Sequence, residues 1–295
     1  MANLKAIRTR IKSVQSTKKI TTAMKLVAAA KVRKAQQRTL AARPFTTHVI
    51  KMLRELVRDL QQIDLQEMPL LRTRPVKKVG LMVLSSDRGL CGSYNSTVFR
   101  ATLERIRKLQ SEGKEVSVIL IGMKAAAFFR HIKIDKIKTY TLLPAIPTVE
   151  EAKLIAAQAE DSFLNGTVDS IELISTHFIS LIRSQVVNTK FLPVELPEAA
   201  PVEATAKPLR LFDPGITEVL QNELIPTYVE NVIFQALLEA SASELAARMN
   251  AMSNASTNAQ ELINNLTLVY NKARQTSITQ DLLEVVAGAE ALRRG

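Results

Sequence analysis

Cysteine, tryptophan and N-terminal acid are what this chain lacks. Cys91 is the only cysteine among 295 residues. One thiol closes no intramolecular disulfide and builds no zinc cluster, which fits a reducing compartment. His48, His131 and His177 are the only histidines and stand far apart in sequence. No metal site is therefore expected, and each histidine is read as a surface or packing residue. Trp is absent and aromatic residues make up 4% of the chain. Helical contacts must then be made by Ala, Leu, Ile, Val and Met, which suits close helix–helix packing better than an aromatic-rich ligand pocket. Hydrophobic residues make up 46% of the chain. No apolar run reaches the roughly 18 residues that a membrane helix needs, so a soluble chain is expected.

The most informative absence is acid. Residues 1–50 hold twelve Lys/Arg and no Asp or Glu, while the other 245 residues hold 28 basic and 28 acidic side chains. The whole formal net charge of +12 thus sits on the first fifth of the chain. Such a block implies an acidic partner, and nucleic acid, anionic lipid or an acidic protein all qualify on charge alone. An acid-free, Arg-rich, amphipathic start is also the pattern of a mitochondrial presequence. Here, however, the basic pattern runs past residue 40 without a cleavage-like stretch.

Three regions follow from periodicity and breakers. The first, residues 1–58, reads as one long helix. Leu4, Ile7, Ile11 and Val14, then Ile20, Met24 and Val27, give coiled-coil spacing with one phase slip between Val14 and Ile20. Pro44 is the only breaker, so a kink or a second helix is expected after it. The run Ala28-Ala29-Ala30 offers a thin face for close approach. Residues 75–195 change period. Apolar strands are expected at 79–84 and 116–121, a weaker one near 137–142, and further strands at 170–176 and 186–193. Helices are expected near 95–110, 123–130 and 148–165. Strands alternating with helices argue for a parallel α/β sheet of Rossmann-like type.

Residues 194–212 read as a linker punctuated by Pro197, Pro201 and Pro208. The third region, 212–295, has Asp213-Pro214 as a helix start and Pro226 as a bend or restart. Leu245, Met249, Met252, Ser256, Ala259, Ile263, Leu266, Tyr270 and Ala273 then alternate in steps of four and three. A helix of some 60 residues would be roughly 90 Å long at the standard rise. It cannot pack inside a compact domain, and the N-terminal helix is the obvious partner. The expected fold is thus a long antiparallel coiled coil of the two terminal helices with an α/β domain inserted between them.

Two candidate sites carry little chemistry. Asp87-Arg88-Gly89-Leu90-Cys91-Gly92-Ser93 follows the first strand, where an α/β sheet would place a phosphate loop. It has neither the Walker A lysine nor the GxGxxG spacing, so the glycines are read as providing unusual backbone angles in a strand-to-helix turn. Cys91 has no evident base. The basic helix could serve as a nucleic-acid arm, but no aromatic residue in the first 44 positions could stack on bases.

Several blocks carry a specific resemblance. Ile7-Arg8-Thr9-Arg10-Ile11-Lys12-Ser13-Val14 and Thr17-Lys18-Lys19-Ile20-Thr21-Thr22-Ala23-Met24-Lys25-Leu26-Val27-Ala28-Ala29-Ala30-Lys31 resemble the start of F1 ATP synthase gamma subunits. So do Asp87–Asn95, the stretch from Glu244-Leu245-Ala246-Ala247-Arg248-Met249 to Asn271-Lys272-Ala273-Arg274-Gln275, then Ile278-Thr279-Gln280-Asp281 and Gly288-Ala289-Glu290. These blocks lie in order along the whole chain. The resemblance implies a rotor shaft without catalysis or cofactor of its own, one copy per complex. Its coiled coil would sit in the bore of a hexamer of alpha and beta subunits, with the α/β domain near the epsilon subunit and the membrane ring. Proton-driven rotation would be coupled to ATP synthesis or hydrolysis at the beta subunits, on the cytoplasmic face of a bacterial plasma membrane or on a thylakoid.

By the same resemblance Lys18, Lys19, Met24 and Lys25 would meet acidic levers of the beta subunits, and Arg274, Gln275, Thr279 and Asp281 would touch the hexamer. The family's helix begins within the first few residues, so no presequence is expected. Asp281 stands where Glu is usual, and Ser93 where Gly is common. Cyanobacterial and chloroplast relatives carry an insertion after the sheet, with a redox cysteine pair in chloroplast forms. The short Cys-free linker here does not imply thiol regulation. The alternatives are a basic coiled-coil nucleic-acid-binding protein, which would bind DNA with strong salt dependence, and a nucleotide enzyme that turns over ATP alone.

Overall fold

The computed structural model describes residues 4–59, 68–195 and 216–294. Its elements are α1 (Leu4–Asp59), β1 (Lys78–Leu84), α2 (Tyr94–Ser111), β2 (Glu115–Ile121), α3 (Met123–Phe129), β3 (Asp135–Tyr140), α4 (Val149–Leu164), β4 (Ser170–Phe178), β5 (Ser184–Leu192), α5 (Ile216–Val219), a π-helical turn at Leu220–Leu224, and α6 (Ile225–Arg294). Contacts group the chain into two compact units. One comprises Met1–Ala28 with Arg248–Gly295, and the other Ala29–Ala247. Of the linker expected over 194–212, Val194 is buried and bonded to the Leu70 carbonyl, while 196–212 and the Asp213-Pro214 helix start lie outside the described residues.

In the larger unit a five-stranded sheet runs in the order β3-β2-β1-β4-β5. β1 through β4 are parallel, and β5 is antiparallel to β4. The expected parallel α/β sheet is thus present, with β5 added as an antiparallel edge strand. Only residues 179–183 separate β4 from β5, too few for the crossover a parallel pair requires. β1 has apolar side chains on both faces, as a central parallel strand must. Met82 and Leu84, with Ile119 and Ile121 of β2, pack under α4 (Ala152, Ile155, Ala156, Ala159), α1 (Val49, Leu53) and α6 (Val229, Ile233, Leu237). Val79, Leu81 and Val83 face α2 (Val98, Ile106, Leu109) and Phe129 of α3 on the other side. The sheet is therefore the middle of three layers. A thinner third cluster joins Phe178, at the end of β4, to Val32, Ala35, Ala242, Leu245 and Ala246.

Local signals explain the helix ends. Thr148 and Glu151 form a reciprocal capping box at the start of α4, which satisfies two otherwise orphaned N–H groups. Pro226 follows the π-helical turn without a break in the helix, so its missing N–H falls where the backbone hydrogen-bond pattern already shifts. The π-helical turn immediately before it absorbs the change in hydrogen-bond pattern. No second helix begins after Pro44, and α1 runs through it. Buried Thr39, Val49 and Leu53 flank it and pin α1 against its neighbours, so tertiary packing outweighs the lost backbone bond.

Candidate functional site

The smaller unit is a pair of helices, and its residues decide what this chain can do. Lys18 Nζ donates to Gln260 Oε1, and the Thr22 and Ser256 hydroxyls lie 2.8 Å apart. Four residues forward on one helix is four residues back on the other, so the pair is antiparallel. The nine seam positions expected from Leu245 to Ala273 are all buried or half-buried, and Ser277 and Gln280 extend the same spacing.

On α1 the seam differs from the expected one. The protected positions are Leu4, Ile7, Ile11, Val14, Lys18, Thr21, Met24 with Lys25, and Ala28. Steps of three and four continue without a phase slip, through polar Lys18 and Thr21. Ile20 and Val27, expected in the seam, are 60% and 57% exposed. The misreading has a physical cause. A lysine can bury its stem while its ammonium finds an acceptor, and Gln260 supplies one, so a polar residue stands where an apolar one was sought.

The candidate interface residues fall into two groups. Lys18, Met24 and Lys25 are half-buried in the seam, and Lys19 points to solvent. Arg274, Gln275, Thr279 and Asp281 are all exposed, and the Thr279 hydroxyl donates to the Gln275 carbonyl at 2.9 Å. Lys18 pairs with residue 260, so the two groups lie on the order of 20 Å apart along the helix and do not form one cluster. The same register puts residue 274 opposite Leu4. Beyond it α6 runs on, and residues 281–293 are exposed on every side. That overhang carries Leu282, Leu283, Val285, Val286 and Leu292, each more than 60% exposed. Apolar side chains this exposed are typical of interaction surfaces. Ile20, Leu26 and Val27 form a second exposed apolar set on α1. Around it the first 28 residues hold seven Lys/Arg and no acid. Sequence reasoning missed both apolar sets, because exposure depends on where the partner helix ends and which phase it takes.

The loop after β1 lies at the point where strand order reverses between β1 and β4. Its acid accepts backbone N–H groups from two neighbouring segments. Asp87 Oδ1 accepts N–H groups from Met123 at 2.8 Å, at the start of α3, and from Leu142 at 3.2 Å, while Oδ2 accepts that of Leu143 at 2.9 Å. Gly92 adopts φ 58°, as expected of a loop glycine. The other left-handed residue in the loop is Leu90, φ 63°, rather than Gly89. Cys91 is buried and lies 3.2 Å from Asn95 Nδ2 within a network that includes Ser86.

A family model described as ATP synthase matches residues 3–292. The ATP synthase gamma chain of Synechococcus sp. strain JA-3-3Ab is 45% identical over 316 residues, covering 99% of this chain and 100% of that one. This chain belongs to the ATP synthase gamma chain family. The gamma chain of Thermosynechococcus vestitus is 46% identical over 319 residues, covering 99% of this chain and all of its own length. Both alignments are longer than the 295 residues here, so these relatives carry segments that this family member lacks. Among solved structures, a chain of the Tetrahymena thermophila mitochondrial ATP synthase central stalk and c-ring matches with TM-score 0.59 and 27% identity, covering 80% of this chain and 99% of its own. A chain of the Euglena gracilis mitochondrial ATP synthase matches 99% of this chain and 95% of its own with TM-score 0.63 and 18% identity. That second likeness speaks to the gamma-chain fold alone.

Proposed function

We propose that this gamma-family chain is the central shaft of a rotary ATP synthase and is itself non-catalytic. The observation that carries this reading is the antiparallel helical pair ending in an apolar overhang at residues 281–293. A stiff two-helix element resists twisting, and an exposed apolar end needs a surrounding sleeve, which the bore of an alpha–beta hexamer supplies. The related Tetrahymena chain belongs to a central stalk with a c-ring, which supports the same placement here. The acid-free start of α1 suits acidic levers on the beta subunits. In this reading Lys19 and Lys25 lie nearest those levers, and Lys18 and Met24 hold the seam beneath them. Arg274, Gln275, Thr279 and Asp281 meet the hexamer where α6 leaves its partner helix.

Catalysis is assigned to the beta subunits. Asp87 supports this assignment, because the chain's own carboxylate takes the N–H groups that would cradle a phosphate. No helix among the described residues is long and apolar enough to cross a membrane, which suits a peripheral subunit. Its place is against the c-ring and the epsilon subunit, on the cytoplasmic face of a bacterial plasma membrane or on a thylakoid. The nucleic-acid reading finds no support among the matched relatives.

The test is reconstitution. Alpha and beta subunits with this chain and the membrane sector should show ATP-driven proton uptake in vesicles, and omission of the chain should abolish it. Equal uptake without the chain would remove the shaft reading.

A further inference from the structure

A chain of side-chain hydrogen bonds crosses the larger unit and touches three elements. On α1, the Thr46 hydroxyl accepts from Asn231 Nδ2 at 2.9 Å and lies 3.4 Å from both Gln235 Oε1 and the Ala42 carbonyl, which share its one proton. One turn further along α6, Gln235 Nε2 donates to Glu239 Oε1 at 2.9 Å. Glu239 Oε2 then meets Nδ1 of His177 on β4. Asn231, Gln235 and Glu239 stand four residues apart on one face of α6, so a single stripe of the helix faces both α1 and the sheet. Asn231 and Glu239 are 6% and 8% exposed, whereas the His177 side chain is 47% exposed. A buried carboxylate is costly unless it is well bonded. Here both of its oxygens are engaged, and one of them reaches an imidazole at the surface.

Most of the contact between α6 and its neighbours is apolar, through Val229, Ile233, Leu237 and Ala240. Apolar contact holds layers together without fixing direction. Hydrogen bonds demand particular distances and angles, and linked ones reinforce each other in a low-dielectric interior. Further polar ties between α6 and the α/β layers include Ser241 Oγ, which donates to the Ala145 carbonyl at 2.6 Å, and Lys153, 3.7 Å from Glu230. Neither includes α1. The relay engages α1, α6 and the sheet together.

We infer that this relay is the angular lock that keeps the sheet in rotational register with both helices, and that His177 is a positioning residue acting through Glu239. The inference rests on the shaft reading, because a torque-bearing chain must not let its layers turn against its helices. Loosening the lock adds compliance between the ring side and the hexamer side. Hydrolysis would continue while less of each turn reached the ring.

The experiment uses the assembled complex in vesicles, with ATP hydrolysis and ATP-driven proton uptake measured together. His177→Ala and Glu239→Ala should keep hydrolysis within twofold of wild type and lower protons moved per ATP by at least twofold. His177→Gln, which keeps a donor toward Glu239, should retain most of the wild-type ratio. Gln235→Leu cuts the relay in the middle at similar volume and decides the matter if the alanine variants do not assemble. In the full chain, amide exchange over 170–178 and 231–239 should quicken at least tenfold in Gln235→Leu while the global melt is kept. Wild-type pumping ratios in Gln235→Leu and in every alanine variant that assembles would overturn the lock. A wild-type chain that restores no pumping at all would instead overturn the shaft reading.

Discussion

Lys18 and Gln260 are 242 positions apart in sequence, yet their side chains meet across the helical pair, the ammonium donating to the amide oxygen. This contact places a polar layer inside a seam built mainly of Leu, Ile, Val, Met and Ala, with Thr21, Ser256 and Tyr270 among its other polar members. A polar layer favours one register at some cost in stability.

Gln260→Leu should therefore destabilise the chain by ~1–2 kcal/mol, because it leaves the part-buried ammonium without its acceptor. Lys18→Leu combined with Gln260→Leu should recover that loss and raise the melting temperature above wild type, as apolar replacement of both partners does. Thermal melts of the two variants and the missing single complete a double-mutant cycle. Additive effects would show that the two side chains do not interact.

The phase of the α1 seam is open to a paired substitution. Ile20→Gln should change stability by less than ~0.5 kcal/mol, since the side chain is 60% exposed. Ala28→Gln should cost ~1–3 kcal/mol, because Ala28 is 3% exposed. The reverse ranking in urea unfolding would restore the phase slip that the apolar pattern alone suggested.

Asp87→Ala should destabilise the α/β unit by ~2–4 kcal/mol. The carboxylate accepts the N–H groups of Met123, Leu142 and Leu143, and charge-assisted bonds to backbone donors are among the stronger kind. Asp87→Asn keeps one acceptor oxygen and should cost about half as much. The measurement is the denaturant midpoint at unchanged slope, and equal midpoints for both variants would mean the loop has other support.

Glu160 makes stability depend on pH. Burial pushes its carboxyl up from 4.5 to about 7, and the neighbouring carboxylate of Glu230 adds to the rise. The folded chain then holds a proton that the unfolded chain releases. The stabilising contribution is full below about 4.5 and is lost as pH rises through about 7. Its half-exposed setting reduces the effect to ~1–2 kcal/mol. Glu160→Gln should match wild type near pH 4.5 and exceed it at pH 8, by a few degrees in melting temperature. Parallel melting curves at both pH values would refute the assignment.

Glu172 shows the opposite outcome for a carboxylate in the same unit. Burial would raise its carboxyl, but the Arg105 guanidinium, at 2.7 and 2.5 Å, and the Asn188 amide hold it below the ordinary range. Burial acts upward on both carboxyls, and the difference lies in the donors. Glu172 has three N–H bonds, whereas Glu160 Oε1 has none.

The sequence by itself determined a good deal. It fixed the two terminal helices, because breakers are scarce over 4–59 and 227–290 and the spacing from Leu245 to Ala273 repeats in threes and fours. It located the five strands to within two residues at nearly every end, because their apolar runs are short and bounded by turns. Its ordered motifs pointed to the family. Tertiary structure decided what depends on partners. Lys18 and Thr21 entered the seam because a residue 242 positions away offers Lys18 an acceptor, and Ile20 and Val27 were turned outward as a result. β5 became antiparallel because the turn before it is too short to cross over. Asp87 took three N–H groups, one from the start of α3 and two from the loop after β3. His177, read as a surface or packing residue, became the surface end of a buried relay because β4 and α6 meet beside it. Periodicity records which face of a helix is buried on average. It does not record which polar side chains find a partner once two faces meet, and that depends on distances set only when the whole chain has folded.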